Sequence, residues 1–189
     1  MTYSPKDWLN LPNIITLARI ASVPLFMSVL LSHSEKYDTM RWVAVLVFVV
    51  AIATDGVDGA IARKRGLVTN LGKILDPIAD KALIGGALIG LSLIGELGWI
   101  VTLLILVREI GITAYRMLVI RKRVIAASAG GKAKTILQGI TFGFLLSPLD
   151  FYFTWLAPIE QFALFVTVIV TLWTGVAYLR EAVALEREH

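Results

Sequence analysis

The sequence predicts an all-α, polytopic membrane fold of six transmembrane helices, preceded by a short N-terminal interfacial segment. Three observations carry that prediction. Of 189 residues, 57% are hydrophobic and only 17% charged, where an ordinary soluble domain is nearer half apolar and a quarter charged. The apolar residues fall into six long runs. Lys and Arg gather in the segments between alternate runs, as cytoplasmic loops of membrane proteins do. With about 20 residues needed per spanning helix, the length admits roughly six or seven spans. One membrane domain over 1–189 follows, with no room for a separate soluble one.

The runs justify themselves in order. The first covers 14–32 and the second 41–62, starting at Trp42. The third covers 73–95, the fourth 97–120, the fifth 134–150 and the sixth 158–180. Trp8, Trp42, Trp99 and Trp155 stand near run ends, where interfacial aromatic residues belong. Pro5 to Asn10 reads as the interfacial segment. It does not resemble a cleaved signal peptide, because MTYSPKDWLN is nearly neutral and Arg19 and Pro24 interrupt the apolar stretch that follows. Arg63, Lys64, Arg65 and Lys73 follow the second run, and Arg121, Lys122, Arg123, Lys132 and Lys134 follow the fourth. Opposite them, the first loop has Lys36 and Arg41, while the turn at Glu96 and the loop from Asp150 to Glu160 have no basic residue. Both termini are therefore expected on the cytoplasmic side of the cell membrane. The net charge of +4 reads as membrane-surface or phosphate-facing charge and gives no argument for nucleic acid.

Composition also restricts the chemistry. There are no cysteines and 2 histidines, His33 and His189, which removes thiolate chemistry and makes a histidine-based metal centre improbable. Carboxylates, Lys, Arg and hydroxyls remain. They concentrate in DGVDGAIARKRGLVTNLGKILDPIAD, residues 55–80. Asp55 and Asp58 are three apart and Asp76 and Asp80 four apart, so each pair shares a helix face. The short connection makes the two helices antiparallel neighbours, and all four carboxylates can converge. Four carboxylates cannot ionise together without a counter-charge. Hard divalent cations with oxygen ligands, Mg²⁺ or Mn²⁺, answer that need. Two of them could clamp a phosphoryl centre. Capping accounts for Asp76 before Pro77, taken as a helix start, but not for Asp55 and Asp58 inside an apolar run. Gly59 lets a ligand approach the backbone, and Arg63 suits a phosphate oxygen.

The order Asp55, Asp58, Gly59, Ala62, Arg63, then eight residues, then Gly72, Asp76, Asp80 resembles the signature D-x-x-D-G-x-x-A-R-(eight residues)-G-x-x-x-D-x-x-x-D of the CDP-alcohol phosphotransferases. Every fixed position is matched. The resemblance implies a six-helix integral membrane enzyme, usually a homodimer. It implies that Asp55, Asp58, Asp76 and Asp80 hold two divalent cations, Mg²⁺ or Mn²⁺, and that Asp80 also takes the acceptor's proton. It implies donor contacts from Gly59, Arg63 and Thr69, and from the early stretch Leu11, Pro12, Asn13, Ile14 with Thr16. LDPIADK (75–81), VREIGITAYR (107–116) and GKAKT (131–135) resemble the phosphatidylglycerophosphate synthase branch of that family, which passes phosphatidyl from CDP-diacylglycerol to glycerol 3-phosphate. Related stretches occur in cardiolipin synthases, whose acceptor is phosphatidylglycerol, so that alternative stays open.

The residues argue independently for an anionic acceptor. Arg108 and Arg116 lie on one face of the fourth helix with Glu109 beside them, and Lys132 and Lys134 flank the start of the fifth. Basic groups converging from two helices make a phosphate site. The plainer readings are an ion pair between Arg108 and Glu109 or a second-helix Asp, and a positive-inside loop at Lys132 and Lys134. Gly86/Gly90 and Gly139/Gly143 are small-residue pairs expected to serve packing within the chain. An ion-coupled transporter is the rival of another class. It would need broken helices and acids near the midplane, whereas these acids stand at helix ends.

Overall fold

The computed structural model describes the backbone of residues 11–65, 70–119 and 129–187, and side chains over 11–54, 72, 74–115 and 133–180. Among the described residues the chain is all-helical. Six long helices form: α1 (Leu11–Ser32), α2 (Arg41–Arg65), α3 (Asn70–Leu93), α4 (Trp99–Val119), α5 (Ala129–Leu146) and, after a short α6 (Leu149–Tyr152) and a 3₁₀ turn (Thr154–Leu156), α7 (Ala157–Arg187). The expected interfacial segment, Pro5 to Asn10, lies outside the described residues.

The boundaries depart from the apolar runs where propensity and apolarity part company. Helix α3 begins at Asn70, so Pro77 sits inside it rather than at its start. There it removes one backbone donor from the ladder. Helix α5 begins at Ala129, earlier than the apolar run, because Ala-Gly-Gly-Lys-Ala-Lys carries little apolar signal. It stops at Leu146, before Ser147-Pro148. The turn after α3 uses Gly95 at φ +81°, and the N–H groups of Glu96 and Leu97 reach back to the Leu91 carbonyl at 2.9 and 3.1 Å. Such a left-handed closing residue is cheapest as glycine.

Helix α1 packs against α2 and α3, α5 against α7 and α2, and α4 against α3 and α7. The core runs through Phe26, Leu30, Phe48, Leu88, Leu91, Ile105, Phe142 and Leu146, all fully buried. Gly86 and Gly90 admit α1: a Cβ on Gly90 would stand 2.6 Å from Leu30 Cδ2, and one on Gly86 3.1 Å from Val23 Cγ1. A Cβ on Gly139 would stand 3.3 Å from Ile52 Cδ1, while one on Gly143 would meet Phe48 at an ordinary 3.8 Å. Both pairs serve packing within the chain, as expected. Hydroxyl pairs join helices inside, Ser92 to Thr102 at 2.6 Å and Thr141 to Thr167 at 2.7 Å.

The exterior is apolar over a wide area, with Ile100, Val107, Phe162 and Trp173 among many exposed side chains. Exposure on that scale marks a surface that water does not normally cover. Two segments, Leu11–Ser32 and Thr154–Arg180, are long and apolar enough to cross a membrane, and Arg41–Thr54 and Ala133–Leu146 are shorter apolar stretches. In α3 and α4 the apolar runs are interrupted by charged groups near one end, and those groups form the site.

Candidate active site

The site forms at the end of the bundle where α1 and α3 begin and α4 finishes. Thr16 Oγ1 stands 2.9 Å from Asp76 Oδ1 and 3.0 Å from the Pro12 carbonyl oxygen. That hydroxyl ties the start of α1 onto the acidic face of α3. Pro12, Asn13 and Thr16 are buried on that side of α1, while Leu11 and Ile14 are exposed. Asp80 follows Asp76 after one turn of α3, so the two carboxylates share a face. Asp76 is exposed and Asp80 half-buried.

Next to the acids lies a cluster of cations organised by Glu109, which is only 3% exposed. Lys81 Nζ is 2.6 Å from Asp80 Oδ2 and 2.8 Å from Glu109 Oε2. Glu109 Oε1 accepts from Lys134 Nζ at 2.5 Å, Arg108 Nη1 at 2.9 Å and Gln138 Nε2 at 3.3 Å. Arg108 also donates from Nε to the Thr171 carbonyl at 3.1 Å and from Nη2 to Thr174 Oγ1 at 3.0 Å, anchoring itself on α7. Gly175 leaves the space for this, since a Cβ there would meet Arg108 Cγ and Nε at 3.1 Å. Among the described residues three cations, Lys81, Arg108 and Lys134, face two carboxylates, Glu109 and Asp80, an excess of one positive charge, and Lys134 places one of its three ammonium hydrogens on Glu109. A cavity of about 410 Å³ between α3 and α4, bordered by Ile78, Ala82, Gly85, Leu106 and Ile110, opens beside Lys81 and Glu109.

The structure thus brings together Thr16, Asp76, Asp80, Arg108 and Lys134 from the sequence-predicted set. Of the two readings of Arg108, the pair with Glu109 is present. The backbone at Asp55, Asp58, Gly59 and Arg63 continues α2, which packs against α3, but their side chains lie outside the described residues. So do the side chains of Arg116 and Lys132, and Thr69 altogether. Among the described residues no group of three or more acidic or histidine side chains is placed to hold a metal ion. Lys81 as a bridge, and Gln138, Thr171, Thr174 and Gly175 as its surroundings, were not anticipated. An acid beside an arginine inside an apolar run, VREIG, was the signal that pointed toward them.

The geometry defines an end-on polar site in a helical bundle with carboxylates on one helix and phosphate-type donors on two others. The sequence model of the CDP-alcohol phosphatidyltransferase family matches residues 9–173, most of the chain, including the acidic face of α3 and the cations about Glu109. The chain belongs to that family. A probable phosphatidylglycerophosphate synthase of Mycobacterium tuberculosis is 44% identical over 176 residues, covering 92% of this chain and 81% of that protein. The CDP-diacylglycerol–glycerol-3-phosphate 3-phosphatidyltransferase of Bacillus subtilis is 38% identical, covering 89% of this chain and 93% of its own. An Arabidopsis thaliana protein of the same description is 31% identical over 191 residues, covering 92% of this chain and 79% of its own.

Proposed function

We propose that this chain transfers the phosphatidyl group of CDP-diacylglycerol to glycerol 3-phosphate, releasing CMP. One juxtaposition supports the reading: Asp76 and Asp80 stand on one face of α3, directly beside the cations gathered about Glu109. The relatives named for this reaction share more than a third of their residues with the chain over nearly its full length.

The donor set of Asp55, Asp58, Asp76 and Asp80 is all-oxygen, which fits two hard divalent cations, Mg²⁺ or Mn²⁺. When bound, these would neutralise the pyrophosphate and stabilise the charge on the departing CMP. Thr16 orients Asp76 by donating to one of its oxygens. Gly59, Arg63 and Thr69, with Leu11, Pro12, Asn13 and Ile14, would hold the cytidine end of the donor. Asp80 takes the proton of the acceptor hydroxyl as that oxygen bonds to the phosphorus bearing diacylglycerol, and the phosphorus–oxygen bond to CMP breaks. Arg108 and Lys134, with Arg116 and Lys132, receive the acceptor's phosphate, and rate enhancement comes mainly from positioning and electrostatics.

The apolar exterior supports six spanning helices. The loop charges support a multi-pass topology with both termini and the site on the cytoplasmic face. A homodimer completes the reading. The test is CMP release from CDP-diacylglycerol by purified protein across an acceptor panel. Glycerol 3-phosphate should serve well, phosphatidylglycerol and free glycerol poorly, and chelation by EDTA should stop turnover until Mg²⁺ or Mn²⁺ is returned. Preference for phosphatidylglycerol would move the chain to another branch of the family.

A further inference from the structure

Lys81 is held between two carboxylates, Asp80 Oδ2 at 2.6 Å and Glu109 Oε2 at 2.8 Å, and its side chain is only 23% exposed. Most of the side chain is enclosed, and the two carboxylates compete for the one ammonium. A lysine committed wholly to Asp80 would cover the oxygen that has to accept a proton or ligate a cation. Glu109 offers the alternative. Its Oε1 is engaged by Lys134, Arg108 and Gln138, which fix the carboxylate against α5 and α7. Its Oε2 is turned toward Lys81. With Glu109 so anchored, Asp80 can release Lys81 without stranding a charge in a partly buried place, which would otherwise be costly.

We propose that Glu109 is a positioning residue for Asp80: it retains the Lys81 ammonium and so leaves the Asp80 carboxylate available to a cation or to the acceptor's proton. The proposal rests on the assignment of Asp80 made under Proposed function. It differs from a packing role, in which Glu109 serves only to neutralise cations between helices, because its effect has to pass through Lys81.

A double-mutant cycle on the full chain in detergent separates the two. Wild type, E109Q, K81M and E109Q/K81M are compared for Mn²⁺ binding, read by electron paramagnetic resonance, and for CMP release. E109Q should weaken Mn²⁺ binding by about tenfold or more, the size of a charged hydrogen-bond effect, and lower kcat. E109Q/K81M should bind Mn²⁺ like K81M alone, to within about twofold, because no ammonium is then present to cover Asp80. A double variant as weak as E109Q, or an E109Q that binds Mn²⁺ like wild type, overturns the proposal. Should E109Q fail to fold, E109D, which keeps the charge but draws the carboxylate back from Lys81, takes its place in the same cycle, and the same outcomes support or overturn the proposal. D80N is the control on the underlying assignment. If it binds Mn²⁺ and turns over like wild type, the reading of Asp80 falls, and the proposal with it.

Discussion

The two ends of the bundle put buried charge to different uses. At the far end Arg41 is fully buried, and each of its three nitrogens has an acceptor: the Leu146 carbonyl at 3.0 Å from Nε, the Ser34 carbonyl for Nη1, and Glu96 at 2.5 Å from Nη2. Lys36 pairs with Asp150 alongside it. At the site end Lys81 is shared between Asp80 and Glu109, Lys134 and Arg108 both donate to Glu109, and Asp76 stays exposed. One end uses charge to close a structure. The other gathers more cations than the carboxylates they contact, which is what a site for an anionic ligand requires.

The comparison can be broken most decisively at Asp80. D80N should cut CMP release by at least about a hundredfold, the range of a general base, while its thermal unfolding temperature stays near wild type. A variant that retains a tenth of the rate would remove Asp80 from the chemistry. Arg41 should show the reverse pattern. R41M strands Glu96 beside a buried gap and should destabilise the chain by about 3 kcal/mol, the low end for a broken buried pair because Glu96 keeps partial exposure. Activity per folded molecule should hold. Chemical denaturation alongside a rate assay separates those two quantities.

A smaller effect sharpens the division within the site end. R108Q should cost about tenfold to a hundredfold in kcat/KM for glycerol 3-phosphate, mainly through the acceptor's KM, with the donor's KM little changed. Equal losses for both substrates would make Arg108 a brace for α7 rather than a ligand. The smallest expected effect lies back at the far end. The Met40 backbone N–H, and then His33, hold the half-buried Asp38 carboxyl below its ordinary value. A depressed folded-state value stabilises above the unfolded range and is lost as pH falls through the folded value. D38N should therefore lower the unfolding temperature slightly at neutral pH and not at all in strong acid. A difference that persists unchanged at low pH would rule out the carboxylate's charge as its source.

Much of this was legible in the sequence because it is local. Six apolar runs became six long helices, and the spacing of Asp76 and Asp80 placed both on one face. Gly86 and Gly90 announced a close approach that α1 makes. What was illegible depends on partners distant in the chain. Lys81 and Lys134 meet Glu109 only once α3, α4 and α5 are assembled, and no periodicity records that. Arg41, counted from the sequence as a loop charge, is buried because its acceptors come from Leu146 and Glu96. Sequence rules read Arg41 as a statement about topology, whereas the fold uses it as a brace. Pro77 misled for a related reason: proline favours a helix start, but the helix it sits in is held by packing on both sides.

Arg41 also sets an order of events during synthesis. Its Nε bonds the carbonyl of a residue 105 positions later, so the arginine leaves the ribosome long before this acceptor exists. Until α5 arrives, Nε lacks that acceptor, and the long stem of the arginine allows the guanidinium to reach outward to water. Arrival of Leu146 then draws it inward. The far end of this protein therefore closes late, and the fifth of its six long helices completes a lock whose key was made near the beginning.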